Sequence, residues 1–229
     1  MKAMILAAGL GARLRPLTDR TPKPMIKVAG KPLLEHLIER LVGAGITEVV
    51  INVSWLADQI EDYFSDGSQF GVTINWSRED SPLETGGGIS NALPILGSAP
   101  FLLISGDIWT DFPIETLVLK PLESNNLAHL VLVDNPEHNL SGDFSLEHNR
   151  VGFGAERHTY SGISILSPEL FKDIDAQGDI FPLRNILRPA ILSDQISGTL
   201  YSGEWCDVGT LERYTHLTKQ IAESQDATT

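Results

Sequence analysis

Apolar residues along the chain fall into short continuous runs and helically spaced stretches that alternate through the first half. Residues Lys2 to Ala7 form a short apolar run of the kind expected of a strand buried on both faces. In Pro32 to Ala44, apolar residues recur at 33, 34, 37, 38, 41 and 42, with Pro32 near the first turn and Gly45 as a stop. This spacing predicts a helix. Thr47 to Val53 reads as a second strand, Trp55 to Phe64 as a helix and Val72 to Trp76 as a strand. Gly87 to Leu93 reads as a short helix starting at a glycine triplet, and Phe101 to Asp107 as a strand ending in an acidic residue. Strand, long loop, helix, strand is the opening of a parallel α/β sheet.

Beyond Asp107 strands lie closer together, at Ala128 to Val133, Asp143 to Glu147 and Gly162 to Leu166, with a turn-rich stretch from Asp134 to Gly142. A helix over Pro182 to Leu192 is expected to end or kink at Pro189. Ile196 to Tyr201 predicts a strand, Trp205 to Gly209 a turn, and Leu211 to Ala222 a last helix. The expected organisation is one domain over 1–223, with a first part about 1–110 and a second, mixed part about 111–223, followed by a disordered tail over 224–229.

Charge changes this picture by locating a ligand. The 229 residues carry a net charge of −13, yet residues 1–40 carry +5 and the remaining 189 carry −18. A small basic zone in an acidic body suits a compact anion better than a polyanion, which argues against nucleic acid as partner. Solvated surface cations are the competing explanation. One cysteine, Cys206, excludes an internal disulfide. No apolar run is long enough for a membrane span, and a cytoplasmic location is expected.

The basic zone coincides with a glycine loop, Leu6-Ala-Ala-Gly-Leu-Gly-Ala-Arg-Leu-Arg-Pro-Leu-Thr18, that runs on to Thr21-Pro-Lys-Pro24. Backbone N–H groups and cations at a strand end are what a phosphate requires. A dinucleotide fingerprint would need a small residue at position 14, where Leu14 stands, and no Gly-Lys-Ser or Gly-Lys-Thr of a Walker loop occurs. Lys23 between Pro22 and Pro24 is expected on a stiff extended arm. Taken alone it is equally a solvated loop lysine, and Asp107 and Asp207 are equally turn or cap residues. Six histidines, including His138, show no metal or catalytic spacing and read as surface or packing residues.

Taken together, the first loop with Pro22-Lys-Pro-Met25, Ser105-Gly-Asp107 and Trp205-Cys-Asp-Val-Gly-Thr210 resembles the sugar-1-phosphate nucleotidyltransferases, in order and over nearly the whole chain. The resemblance implies a Rossmann-like, mostly parallel sheet flanked by helices with a smaller mixed sugar-binding lobe, a GT-A-like α/β fold. It implies Arg13, Lys23, Asp107 and Asp207 as catalytic residues and Mg²⁺ on Asp107 and Asp207. Nucleotide contacts are expected from Leu6, Ala7, Ala8, Gly9, Gly11, Ala12, Arg13, Lys23, Leu83, Gly86 and Ser105, the glycines near Gly86 letting a flat base approach backbone amides.

Pro82 to Gly88, Leu130 to Pro136 and Trp205 to Arg213 are most similar to the short uridylyltransferases of peptidoglycan recycling, which implies UTP and N-acetylmuramate 1-phosphate as substrates. Mannose-1-phosphate guanylyltransferase is the alternative, because Asp80 or Glu84 offers an acceptor to guanine and the glutamine of many uridylyl relatives is missing, and a transferase using UTP or dTTP with glucose or N-acetylglucosamine 1-phosphate is another. The family's second lysine is missing too, since no lysine lies between Lys120 and Lys172. Arg150, Arg157 and Arg188 are the candidates to replace it or to meet the lactyl carboxylate. Asp143, Ser161 and Gly162 are the candidates for sugar contacts.

Overall fold

The computed structural model describes residues 1–120, 122–123, 125–174 and 178–226. Strand β1 (Ala3–Leu6) runs into the glycine loop, which ends in a small antiparallel pair, β2 (Lys27–Val28) and β3 (Lys31–Pro32), before α1 (Leu33–Gly43). Then come β4 (Glu48–Val53), α2 (Ala57–Phe64), β5 (Thr73–Arg78), α3 (Glu84–Leu96), β6 (Phe101–Ser105), β7 (Ile108–Thr110) and the single turn α4 (Glu115–Val118). The second half contributes β8 (Ala128–Val133), β9 (Ser145–Glu147), β10 (Arg150–Gly152), β11 (Thr159–Leu166), α5 (Arg184–Leu192), β12 (Ile196–Tyr201), β13 (Trp205–Asp207) and α6 (Leu211–Asp226).

Nine strands make one sheet in the order β5-β4-β1-β6-β11-β8-β12-β10-β9. The first four of these are mutually parallel. From β6 onward only β8 and β12 pair in parallel, so the mixed half extends the parallel half as one continuous sheet. Successive side chains of a strand point to opposite faces. Accordingly Ala3 and Ile5 of β1 join Val49 and Ile51 of β4 beneath Leu37 and Leu41 of α1, while Met4 and Val50 pack on the other face with Ile89 of α3 and Leu187 of α5. Both faces are covered, which is why these strands read as unbroken apolar runs.

Several expectations need correction. The helix over the glycine triplet starts at Glu84 and runs 13 residues, so Gly86, Gly87 and Gly88 lie inside it. They permit close packing: a Cβ on Gly87 would sit 2.1 Å from the Asp179 carbonyl oxygen, and one on Gly88 2.7 Å from Asn52 and Glu79. Helix α5 continues past Pro189 to Leu192. Trp205–Asp207 is a strand instead of a turn, paired antiparallel with β7. Helix α6 reaches Asp226, beyond the expected end at Ala222, so residues 224–226 are helical; the rest of the expected tail, 227–229, lies outside the described residues.

Candidate active site

Backbone geometry builds the loop first. Gly11 has φ of 62°, and a Cβ there would lie 2.7 Å from Thr18 Cγ2 and 3.2 Å from Lys23 Cβ, so only glycine lets the loop fold back on itself. Thr18 Oγ1 donates to the Gly11 carbonyl at 2.8 Å, and Trp55 Nε1 donates to the Thr18 carbonyl at 3.1 Å. Asn52 of β4 accepts the Ala7 N–H at 2.8 Å and donates to Glu79 at 2.6 Å. The N–H groups of Ala8, Gly9 and Leu10 have no internal acceptor among the described residues. Unpaired backbone donors at a strand end favour an anion.

Lys23 opens a short 3₁₀ turn over Lys23–Met25, held by Met25 N–H to the Pro22 carbonyl at 2.8 Å. This replaces the extended arm expected from the two prolines. The turn carries the ammonium onto Asp107, with which it forms an ion pair. Ladder β7–β13 brings in the second aspartate: Asp207 pairs with Ile108, and Val208 N–H donates to the Asp107 carbonyl at 2.7 Å. Two carboxylates a hundred positions apart in sequence thus stand side by side at the end of β6. Arg213 Nη1 holds Asp207 Oδ1 at 2.9 Å and His138 Nε2 approaches the same oxygen at 3.0 Å. Burial pushes the Asp207 carboxyl above its usual range, and the Arg213 and His138 charges pull it back. Cys206 beside it is raised by burial to about 11, so its thiol is a packing group and not a nucleophile.

Two cavities meet at this point. The larger, about 930 Å³, and the smaller, about 250 Å³, share Leu6, Thr85, Ser105 and Asp107 as a common wall. Ala7, Ala8, Gly9 and Lys23 line the smaller one together with buried Asn52 and Glu79. The larger one is lined by Asp143, Ser161, Gly162, Arg188, His138 and Asp207, among others. Two neighbouring carboxylates, Asp107 on the shared wall and Asp207 on the larger cavity, suit an ion such as magnesium, which completes its shell with phosphates and water. Among the described residues no group of three or more His, Cys, Asp or Glu forms an all-protein metal cage.

Not every expected contact is brought to these cavities. Arg13 is exposed on a 3₁₀ turn and, like Gly11 and Ala12, lines neither cavity. Gly86 and Leu83 are buried away from both. The N–H groups of Gly86 and Gly87 donate to the Phe181 carbonyl at 2.9 and 3.1 Å and are not free for a base. Ser161 borders the larger cavity, but its hydroxyl donates to the Val131 carbonyl at 2.7 Å and accepts from Ile163 N–H at 3.1 Å. Its hydroxyl therefore stabilises the irregularity between Tyr160 and Ile163 of β11, and is committed to the backbone. Arg150 is held by Asp194 and Asn126, and Arg157 by the Gly154 and Phe153 carbonyls, so both are engaged elsewhere.

Sequence reasoning missed Arg213, His138, Asn52, Glu79 and Arg184. Arg213 was within reach, as a cation six residues after Asp207 in the same motif; His138 had only its turn-rich setting as a signal.

Comparison with known proteins places the chain in a family. The family model described as nucleotidyl transferase matches residues 2–145. The chain is 48% identical over 224 residues to N-acetylmuramate alpha-1-phosphate uridylyltransferase of Neisseria meningitidis serogroup B, covering 93% of this chain and 95% of that one. It is 31% identical over 226 residues to mannose-1-phosphate guanyltransferase of Hypocrea jecorina, covering 91% of this chain and 61% of the relative. Among solved structures, HddC from Yersinia pseudotuberculosis superposes with a TM-score of 0.79 at 25% identity, covering 96% of this chain and 99% of that one. On the family model and the near-full-length relative, the chain belongs to the nucleotidyl transferase family and is a sugar-1-phosphate nucleotidyltransferase.

Proposed function

We propose that this enzyme transfers a uridylyl group from UTP to N-acetylmuramate α-1-phosphate, yielding UDP-N-acetylmuramate and pyrophosphate, as a cytoplasmic step in reuse of cell-wall sugars. The observation that carries the reaction is the ion pair between Lys23, which lines the smaller cavity, and Asp107, which lines both. The near-full-length likeness to the Neisseria uridylyltransferase supports the substrate pair.

In this reading the nucleotide enters the smaller cavity, its phosphates against the N–H groups of Ala8 and Gly9, and the sugar phosphate enters the larger. A phosphate oxygen of the sugar 1-phosphate attacks the α-phosphorus, the bond from that phosphorus to the bridging oxygen breaks, and pyrophosphate leaves. A phosphate monoester has its second pKa at about 6, so the attacking oxygen is already ionised at neutral pH and no general base is needed. Lys23 places a compact positive charge where the α-phosphate and the incoming phosphate crowd together. Asp107 and Asp207 would hold Mg²⁺, which supplies charge neutralisation to the phosphates when bound. Arg213 positions Asp207, whereas Arg13 lines neither cavity.

Pyrophosphate release, measured for the four ribonucleoside triphosphates and thymidine triphosphate against the 1-phosphates of N-acetylmuramate, N-acetylglucosamine, glucose and mannose, tests the substrate pair. UTP with N-acetylmuramate 1-phosphate is expected to be fastest. A clear preference for GTP with mannose 1-phosphate would overturn the assignment.

A further inference from the structure

The larger cavity has an unbalanced wall. Its three carboxylates are all engaged: Asp107 by Lys23, Asp207 by Arg213 and His138, and Asp143 by Tyr160 N–H at 2.8 Å and Asn139 at 3.3 Å. Its two arginines, Arg184 and Arg188, have no anionic partner among the described residues. They lie four positions apart on α5 and so share one helix face. Arg188 is held with its guanidinium 5.3 Å from the centre of the Phe153 ring, which orients the planar group without consuming its hydrogen-bond donors. The start of α5 is fixed in turn by Leu183 N–H donating to Thr85 Oγ1 at 2.8 Å. In a chain of net charge −13, two cations that line a cavity and have no ion-pair partner among the described residues mark a place for an anion.

That anion differs from the reacting phosphate. The phosphate must reach Asp107 and Ser105, which line both cavities, whereas Arg184 and Arg188 line only the larger. We infer that the Arg184–Arg188 face of α5 recognises a carboxylate carried by the sugar, making this enzyme selective for acidic sugar 1-phosphates. The inference rests on the proposed reaction and assigns the selectivity of that same site. N-acetylmuramate fits it, being N-acetylglucosamine with a lactate ether whose carboxylate stands off the ring, and a planar fork of donors matches a carboxylate in two-point contact.

The test compares wild-type enzyme with Arg188→Gln and Arg184→Gln, using N-acetylmuramate 1-phosphate and N-acetylglucosamine 1-phosphate, which lacks only the lactate. Loss of a charged two-point contact is expected to lower kcat/KM for the acidic sugar by about 10- to 100-fold in at least one variant, mainly through KM. The constants for N-acetylglucosamine 1-phosphate should stay within about threefold of wild type. Equal losses on both substrates would mean a phosphate or packing role and would overturn the inference, as would no loss on either. Calorimetric binding of the two sugar phosphates separates this inference from the reaction itself. Preferential binding of the acidic sugar without turnover would sink the reaction and leave the arginine assignment standing, whereas equal binding by wild type would remove the assignment.

Discussion

Replacing Asp107 by Asn is expected to lower kcat for pyrophosphate release by about 10³-fold while the protein stays folded and still binds UTP. The magnitude follows from what the site must do, which is to bring three anionic groups together and spread transition-state charge without a general base. Asparagine keeps the size of the side chain and an acceptor oxygen but loses the charge that would hold a dication and that pairs with Lys23. Asp107 sits at a turn whose carbonyl takes the Val208 N–H, a backbone contact that the substitution leaves intact. Circular dichroism and UTP calorimetry on the variant separate lost chemistry from lost folding. A variant with wild-type rate and normal nucleotide binding would remove Asp107 from the mechanism.

Lys23→Met should cost about 10²- to 10³-fold, again mostly in kcat, because its charge is needed most where the two phosphates are closest. Methionine preserves the unbranched stem that packs beside Gly11, so the loop should keep its shape. The double variant with Asp107→Asn should be little worse than the worse single one, since each removal already dismantles the same ion pair. Additive losses, measured as kcat ratios in the double-mutant cycle, would show that the two residues work apart.

Much of the scaffold was legible because strands buried on both faces leave near-continuous apolar runs, as at β1, β4, β6 and β8. The site was legible only in part. Asp107 and Asp207 stood out by motif, but the ladder that joins them is made of three-residue strands, Ile108–Thr110 and Trp205–Asp207, too short to show any period. Pairing of this kind is tertiary, and Trp205 reinforces it by donating its indole N–H to the Ser161 carbonyl at 2.9 Å. The triplet at Gly86 misled for a similar reason. Glycine disfavours a helix interior by about 1 kcal/mol, so the triplet reads as a loop or a helix start until the carbonyl of Asp179 and the ring of Phe181 are seen pressed against it. In the first loop Lys23 lines the smaller cavity, while Arg13, equally prominent in sequence, lines neither. Glu79 was passed over for Asp80 and Glu84 because local sequence does not reveal which of three nearby acids folds inward onto Asn52.

The central claim is that Asp107, on the wall shared by the two cavities, and Asp207, beside it in the larger one, work as one metal-dependent unit. It is tested most directly by following pyrophosphate release from UTP and N-acetylmuramate 1-phosphate in EDTA, then titrating Mg²⁺ back. The account predicts no release in chelator and full recovery with Mg²⁺ for the wild type, with little recovery for Asp107→Asn. Full turnover of the wild type in EDTA would contradict it.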